Sequence, residues 1–329
     1  MSRRGSRRSS ASAAAGCLSR PPVARPADPR VVAELTGPTF GAVCALLSAL
    51  VWTLIGVSAR ALAPYFSALS VNMLRSALGG LLLIVVVLAG GGLGSLAGVS
   101  ARAWFYLGVS VLTAFAVGDT AFFESTKTIG LARAMTVSMV YPLIASGLGV
   151  WLLGERITAQ VAAGAVVTLA GLALIVSERA PATALQGRGH QGRGLGLALL
   201  AATAWGVSPV LMKPAIVDVD PVSVQAVRLP FAALVLWVTP WARGTGRQVR
   251  LHLRPAGPLL LAIGALTALS AVTWVAGLKY AGITLTSVLS STSPLFAIPI
   301  GLVAFGERVS ARAVAGTLLC LAGIALLSL

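Results

Sequence analysis

The sequence predicts an all-α polytopic membrane protein whose ten transmembrane helices form two inverted five-helix repeats. Three observations predict this fold: an apolar composition, ten apolar stretches of membrane-spanning length and an internal duplication. Of the 329 residues, 57% are hydrophobic and only 10% are charged, whereas charged residues make up about a quarter of a typical soluble domain. We therefore expect the chain to be embedded in a lipid bilayer.

The apolar stretches recur from Thr39 onward. A helix needs about 20 apolar residues to cross the hydrocarbon core, and backbone polar groups at that depth must be hydrogen-bonded within their own segment, which favours helices. The predicted spans are 39–59, 68–89, 103–122, 130–153, 157–177, 194–213, 222–241, 256–278, 282–305 and 309–329.

The domain organisation follows from the same pattern. Residues 1–38 are rich in Arg, Ser, Ala and Pro and are predicted to form a disordered basic tail, because they offer little apolar surface to bury. The first repeat is predicted at 39–177, a polar linker at 178–193 and the second repeat at 194–329. A further long connection is expected at 242–255.

The duplication is visible as identical residues at a fixed spacing. Residues 154–175 and 306–327 match at 11 of 22 positions with an offset of 152. Upstream, Pro142 pairs with Pro294 and, one residue further apart, Trp52 pairs with Trp205 and Arg75 with Arg228. Each unit holds five spans, an odd number, so the second unit enters the membrane from the opposite side. Such inverted repeats are frequent in secondary transporters, although a duplication can also record ancestry alone.

Three features occur once in each half and in the same order. They are a Trp in the first span, an Arg early in the second span and a Gly-Glu-Arg box after a proline-containing span, at 154–156 and 306–308. Together they resemble the drug/metabolite transporter superfamily, in its EamA-like ten-helix branch, over residues 39–329. The box acids, Glu155 and Glu307, precede helix starts, where the helix dipole favours a carboxylate, and are interpreted as structural turns.

The resemblance implies a transporter without ATP-hydrolysing parts. It also implies a central cavity lined mainly by helices one, three, four, six, eight and nine, with the last helix of each half at the periphery. Export or exchange of amino acids, metabolites or drugs is the implied activity.

One arginine is predicted inside the second span of each half. Arg75 and Arg228 each follow an amide, Asn72 or Gln225, by three residues, which puts amide and guanidinium on one helical face. A charge inside a span needs a partner or a function, because burying it costs about 2.5 to 3.5 kcal/mol on insertion scales. Either the arginines brace neighbouring helices, or one of them faces the cavity and binds a carboxylate or phosphate.

Asp119 differs because the duplication does not repeat it: its counterpart is Ala271. The fold itself therefore does not require an acid at this position. Two interpretations remain, a role in proton coupling or cation recognition, and a structural ion pair with Arg75 or Lys127. Glu124, opposite Ala276, is also unrepeated but lies at the end of its span.

Helix breaks and hydroxyl groups mark the fourth and ninth spans. Pro142 and Pro294 lie in the middle of these spans, where a proline removes a backbone hydrogen bond, and such breaks near the midplane are typical of transport sites. The neighbouring candidates for cavity exposure are Ser138, Tyr141, Ser290 and Ser293.

Three tryptophans are candidate cavity-wall residues, namely Trp52, Trp205 and Trp274. A tryptophan can equally pack against lipid or anchor a span at the interface.

Small-residue spacings, Gly164 to Gly171 and Gly316 to Gly323, favour close helix contact. The sequence leaves open whether that contact forms within one chain or in a homodimer.

Other classes of function lack the residues that they need. The basic residues fall in the tail and between apolar runs, which is membrane topology and excludes a nucleic-acid interface. The three cysteines lack metal-ligand spacing, and His190 and His252 stand alone. No cofactor or metal site is expected, and no span carries a metalloprotease, nucleophile-elbow or phosphate-loop motif.

The basic residues disagree about orientation. With the N-terminus inside, the short loops carry 4 basic residues inside and 12 outside. Because basic loops favour the cytoplasmic side, this count favours the opposite orientation, with the N-terminus outside. However, Arg20, Arg25 and Arg30 precede the first span and only Arg60 follows it directly, and the first helix usually dominates. We therefore expect a multi-pass protein of the cytoplasmic membrane with a cytoplasmic N-terminus.

The expected function is a secondary transporter that moves a small metabolite or drug-like compound by alternating access, in the export direction, with protons as the candidate coupling ion. The alternatives are a membrane scaffold or sensor, an integral membrane enzyme, and a channel. Two similar halves suit alternating access better than an open pore.

Overall fold

The computed structural model describes residues 29–90, 99–144, 147–148, 159–176, 191–212, 220–306 and 309–328, and within these ranges it contains helices and no β-strand. The helices are α1 (Pro29–Leu62), α2 (Ala68–Ala89), α3 (Ala101–Ile129), α4 (Leu131–Ile144), α5 (Ala159–Val176), α6 (Gln191–Met212), α7 (Pro221–Trp237), α8 (Thr245–Tyr280), α9 (Ile283–Ser290 and Ser293–Phe305) and α10 (Ala311–Ser328). The all-helical fold class is confirmed.

Five helices are long and apolar enough to cross a membrane: α1, α2, α3, α6 and α8. The other five described helices are shorter but also apolar, and each of them coincides with a predicted span. The number of ten crossings stays a prediction.

Two helices begin well before their predicted spans. Helix α1 begins at Pro29, inside the segment predicted as tail. The connection expected at 242–255 is helical for most of its length, because α8 already begins at Thr245. Its first turns are held to the protein by a hydrogen bond of 2.8 Å between the hydroxyls of Thr245 and Ser70 and by Val249, which packs against the main core.

The contacts between helices repeat when the two halves are exchanged. Helix α1 packs on α8, and its counterpart α6 packs on α3. Likewise α2 contacts α8 while α7 contacts α3, and the pairs α2 with α7, α4 with α9 and α5 with α10 are their own counterparts. The halves are therefore interleaved around a common centre, with the first helix of each half against the third helix of the other.

The peripheral helices α5 and α10 pack through glycines, as the small-residue spacing predicted. A Cβ atom added at Gly171 would lie 2.6 Å from the backbone nitrogen of Cys320, and one added at Gly323 would lie 2.7 Å from the carbonyl oxygen of Gly164. Backbones can approach this closely only where the side chain is a hydrogen atom. The contact forms within one chain, so these glycines require no homodimer.

Helices α4 and α9 are interrupted at equivalent points. In α4 a turn at Met139 and Val140 separates Leu131–Ser138 from the following turn of helix, and in α9 a turn at Ser291 and Thr292 separates the two pieces. Pro142 and Pro294 lie just after these turns. Each proline thus lies in the first turn of a new helical piece, where its missing N–H costs no hydrogen bond.

Candidate functional site

A cavity of about 130 Å³ lies at the centre of the protein, between the two halves. Its wall is formed by helices α1 to α4 and α6 to α9, and no residue from the described parts of α5 or α10 contributes to it. The predicted set of lining helices is thus extended by α2 and α7, each of which contributes its arginine. The peripheral placement of the last helix in each half agrees with the family expectation.

Most of the candidate residues come together on this cavity wall. Those that line it are Trp52, Arg75, Asp119, Tyr141, Trp205, Gln225, Arg228, Trp274, Ser290 and Ser293. Asn72 and Ser138 are fully buried behind the wall, and Pro142 and Pro294 lie at the helix breaks without lining it. The three tryptophans therefore belong to the cavity wall in this structure and are not lipid anchors.

Arg75 and Asp119 form a buried ion pair at the centre of the protein. Their side chains are 1% and 6% exposed, and the Arg75 guanidinium donates to the Asp119 carboxylate and, at 2.8 Å, to the Asn72 side-chain oxygen. It also donates at 3.3 Å to Thr267 on α8 of the other half. Of the two partners that the sequence left open for Asp119, the structure selects Arg75; Lys127 pairs instead with Glu124 at 3.0 Å.

The second oxygen of Asp119 is bound by the other half of the protein. The Trp205 indole N–H donates to Asp119 Oδ1 at 2.8 Å. The Trp205 ring in turn meets the ring of its repeat counterpart Trp52 edge to face, with the centroids 5.4 Å apart. Asp119 therefore receives donors from both halves.

The backbone that carries Asp119 is a π-helix. Residues Leu112–Asp119 have this wider winding in the middle of α3. Such segments are rare and occur often at functional sites, because they redirect side chains relative to a regular α-helix. No sequence pattern predicted it, although Gly118 makes it possible for Trp205 to approach: a Cβ at Gly118 would lie 2.6 Å from the Trp205 indole nitrogen.

Arg228 occupies the equivalent position in the second half and is 2% exposed. It donates to the Ser110 hydroxyl on α3 at 3.1 Å and to the Gln225 side-chain oxygen at 3.5 Å. Each arginine therefore reaches a hydroxyl on the third helix of the opposite half. Unlike Arg75, Arg228 forms no salt bridge with any carboxylate in the described part of the chain.

The amides next to the arginines hold the helices in register. Asn72 donates to the Phe115 carbonyl at 2.5 Å and to the Thr120 hydroxyl at 2.8 Å, both on α3. Gln225 donates to the Ala271 carbonyl on α8 at 3.1 Å. In each half the amide thus ties the second helix to the third helix of its own half.

The hydroxyls near the helix breaks have different roles. Ser138 donates to the Ala198 carbonyl at 3.1 Å, and Tyr141 donates to the Ser287 carbonyl at 3.3 Å, linking α4 to α9. Ser293 donates to the Ala49 carbonyl at 3.1 Å. The Ser290 hydroxyl lines the cavity and makes no hydrogen bond of ordinary geometry with the described residues.

Several residues of the site escaped the sequence prediction. The Phe115 ring lies between the arginines, with its centroid 5.9 Å from Arg75 Cζ and 5.3 Å from Arg228 Cζ, within cation–π range. Ser110 and Thr267 accept from the arginines. The sequence does place a hydroxyl residue inside the third span of each half. Such a hydroxyl could have been identified as the acceptor for the buried arginine of the other half.

The boxes at 154–156 and 306–308 have no structural test. Residues 149–158, 307 and 308 lie outside the described residues, so the interpretation of Glu155 and Glu307 as structural turns stays a prediction.

An all-helical membrane protein with two similar halves around a central cavity has the architecture of a membrane transporter. The comparison with protein families agrees. The chain belongs to the EamA-like transporter family, whose model matches residues 39–177 and 192–329. This family lies within the drug/metabolite transporter superfamily that the motifs predicted.

Two of the proteins that are similar to this chain illustrate the relationship. One is named "Uncharacterized transporter", from Archaeoglobus fulgidus; it is 28% identical over 224 residues, which cover 67% of this chain and 74% of the relative. The other is a solved crystal structure with 20% sequence identity and a TM-score of 0.59, covering 87% of this chain and 94% of that one. The second likeness supports the fold alone. The protein is thus a multi-pass membrane transporter.

Proposed function

We propose that this protein is a secondary transporter that moves a small molecule across the cytoplasmic membrane by alternating access. The observation that carries the proposal is the central cavity, whose wall is built by eight helices, four from each half. A binding site between two similar halves can be opened to either side of the membrane when the halves exchange conformations.

The interleaved packing supports this mechanism. The contact of α1 with α8 has a counterpart in the contact of α6 with α3. Tightening one of these contacts and loosening the other would shift access from one side of the membrane to the other. The interruptions of α4 and α9 adjoin the cavity through Met139 and Ser290. These interruptions are points at which a helix can bend at a low energetic cost.

We further propose export as the direction, with the N-terminus in the cytoplasm. Export follows from the family resemblance, and the orientation from Arg20, Arg25 and Arg30 ahead of the first span. A cysteine introduced at Ser100, between α2 and α3, provides the test of orientation. With the N-terminus inside, this cysteine is expected to react with an impermeant maleimide only after the cells are opened.

Proton coupling is proposed through Asp119. Its carboxylate is the only acid among the residues that line the described cavity, and it holds Arg75 from α2 together with Trp205 from the other half. Protonation would remove the negative charge that binds Arg75 within the first half and that accepts the Trp205 indole N–H from the second half. It would therefore weaken a contact between the halves. A structural ion pair without coupling predicts instead that transport ignores the proton gradient.

The decisive experiment is efflux from liposomes that contain the purified protein. The liposomes are loaded with amino acids, nucleosides, aromatic acids or cationic dyes, and release is followed with and without a pH gradient. We expect protein-dependent release of at least one compound class, accelerated when protons flow in the opposite direction. Asp119→Asn is expected to abolish the response to the gradient.

The matched control is Glu124→Gln. Glu124 lies on the same helix but does not line the cavity, and it pairs with Lys127 and Arg193. This variant should retain the response to the gradient. Equal loss in both variants argues against coupling at Asp119, and absence of any protein-dependent release across the panel favours the scaffold or sensor alternative.

A further inference from the structure

The two arginines of the cavity have the same position in the fold but different charge balances. In the first half, Asp119 accepts from Arg75 and from the Trp205 indole. In the second half, the residue equivalent to Asp119 is Ala271, which lines the cavity with a methyl group. The ion pair of arginine and carboxylate is therefore complete in the first half, whereas the second half has the arginine without the carboxylate.

Several donors on the cavity wall lack an acceptor among the described residues. Arg75 Nε is one of them, but its guanidinium already pairs with Asp119. Arg228 Nε and the indole nitrogen of Trp52, the repeat counterpart of Trp205, are also without a hydrogen-bond partner there. Both atoms are buried and both side chains line the cavity. Because an unpaired buried donor is costly, and a guanidinium without a carboxylate more so, two such donors beside one cavity point to an absent acceptor.

We propose that the cavity binds a small monoanion, a carboxylate on an apolar or aromatic body, at Arg228. The bound carboxylate takes the place beside Arg228 that Asp119 has beside Arg75. One guanidinium in the cavity is already neutralised by Asp119, so a single negative charge balances the other.

The rest of the wall is suited to the body of such a molecule. Ile55, Phe115, Met139 and Trp274 contribute apolar and aromatic surface. The volume of about 130 Å³ limits the ligand to a small one. The identification of this anion as a substrate rests on the proposed transport function. Binding of the anion can be measured separately from transport.

The test uses three planar probes of the same shape and different charge: benzoate, benzamide and benzamidine. Binding to the purified full-length protein in detergent micelles is measured by ligand-observed NMR. We expect benzoate to bind at least about tenfold more tightly than neutral benzamide, which corresponds to about 1.4 kcal/mol, and cationic benzamidine to bind most weakly. Preference for benzamide or benzamidine overturns the inference.

Two variants locate the site. Arg228→Gln is expected to abolish the preference for benzoate, and Ala271→Asp is expected to do the same by supplying Arg228 with an internal carboxylate. Arg250→Gln, a change at an exposed arginine on α8, serves as the matched control and should keep the preference. If benzoate binds equally well to Arg228→Gln and to the unchanged protein, the site is not at Arg228.

Liposome efflux then separates this inference from the proposed function. Benzenesulfonate, a monoanion that does not cross lipid unaided, is the transport probe. Release of benzenesulfonate that depends on Arg228 supports both. Arg228-dependent binding without release of any probe supports the anion site and contradicts transport, whereas release of only neutral or cationic compounds supports transport and contradicts the anion site.

Discussion

The centres of the two halves share their framework and differ in their charge. In both, an arginine on the second helix reaches a hydroxyl on the third helix of the opposite half, and an amide three residues earlier binds the third helix of its own half. Only the first half adds a carboxylate, Asp119. The repeated features position helices, and the unrepeated acid determines where a charge stays unbalanced.

This difference predicts that equivalent substitutions in the two halves have unequal effects. Where the halves are alike, at the periphery, the effects should be equal. Unfolding of the reconstituted protein in mixed micelles, titrated with a denaturing detergent, provides a common measurement of stability.

The largest expected difference concerns the two arginines. Arg75→Met leaves the buried Asp119 carboxylate without its cation, which is expected to lower the free energy of unfolding by about 3 to 5 kcal/mol. Arg228→Met breaks no salt bridge among the described residues; it removes hydrogen bonds to Ser110 and Gln225. Because the change also removes a buried charge that lacks a carboxylate partner, its expected net cost is about 1 kcal/mol.

The double variant Arg75→Met with Asp119→Leu is the control for this prediction. Because it removes both charges, it should recover most of the lost stability. Equal costs for Arg75→Met and Arg228→Met would show that the ion pair with Asp119 does not distinguish the halves.

The tryptophans give the next largest difference. Trp205→Phe removes the indole N–H that donates to Asp119 at 2.8 Å but keeps an aromatic ring, and a hydrogen bond to a charged group contributes about 1.5 to 3 kcal/mol. Trp52→Phe removes an N–H that has no partner among the described residues, so it should lower the stability less, by the lost ring contacts alone. A larger loss in Trp52→Phe than in Trp205→Phe would contradict the hydrogen-bond assignment.

Part of this arrangement was predictable from the sequence. The duplication identified Arg75, Arg228 and the two tryptophans, and the absence of repetition identified Asp119 as distinct. These inferences succeed because burying charge in an apolar segment is costly whatever the detailed packing. The fold class followed from the same pattern, the family from the motifs that resemble it, and the peripheral position of the fifth and tenth helices from that resemblance.

The remaining part depends on packing between segments far apart in sequence. The π-helix at Leu112–Asp119 changes which side chains of α3 face the cavity, and no residue pattern in that stretch marks it. The choice of Arg75 over Lys127 as partner of Asp119 depends on how α2 and α3 meet. The helical start of α8 was missed although its Val249 has a core to pack against.

At the periphery the two halves should respond alike. A methyl group at Gly171 would meet the backbone of Cys320, and one at Gly323 would meet the carbonyl of Gly164. Since backbone cannot move away cheaply, Gly171→Ala and Gly323→Ala are each expected to lower the free energy of unfolding by about 1 to 3 kcal/mol. Gly196→Ala, on the exposed side of α6 with no atom within 4 Å, is the control and should stabilise by about 1 kcal/mol or less. A clear inequality between Gly171→Ala and Gly323→Ala would break the symmetry of this contact.

The smallest expected difference concerns the serines of the broken helices. Ser138→Ala removes a hydrogen bond to the Ala198 carbonyl and is expected to cost about 1 kcal/mol. Its counterpart Ser290 lies beside the cavity and makes no hydrogen bond of ordinary geometry with the described residues, so Ser290→Ala should change stability less. If the ligand uses this hydroxyl, the same variant weakens benzoate binding while Ser138→Ala does not, since Ser138 lies behind the wall. The two variants therefore distinguish a serine that holds the helices together from a serine that is available to a ligand in the cavity. Weaker benzoate binding in Ser138→Ala but not in Ser290→Ala would place the binding surface in the first half.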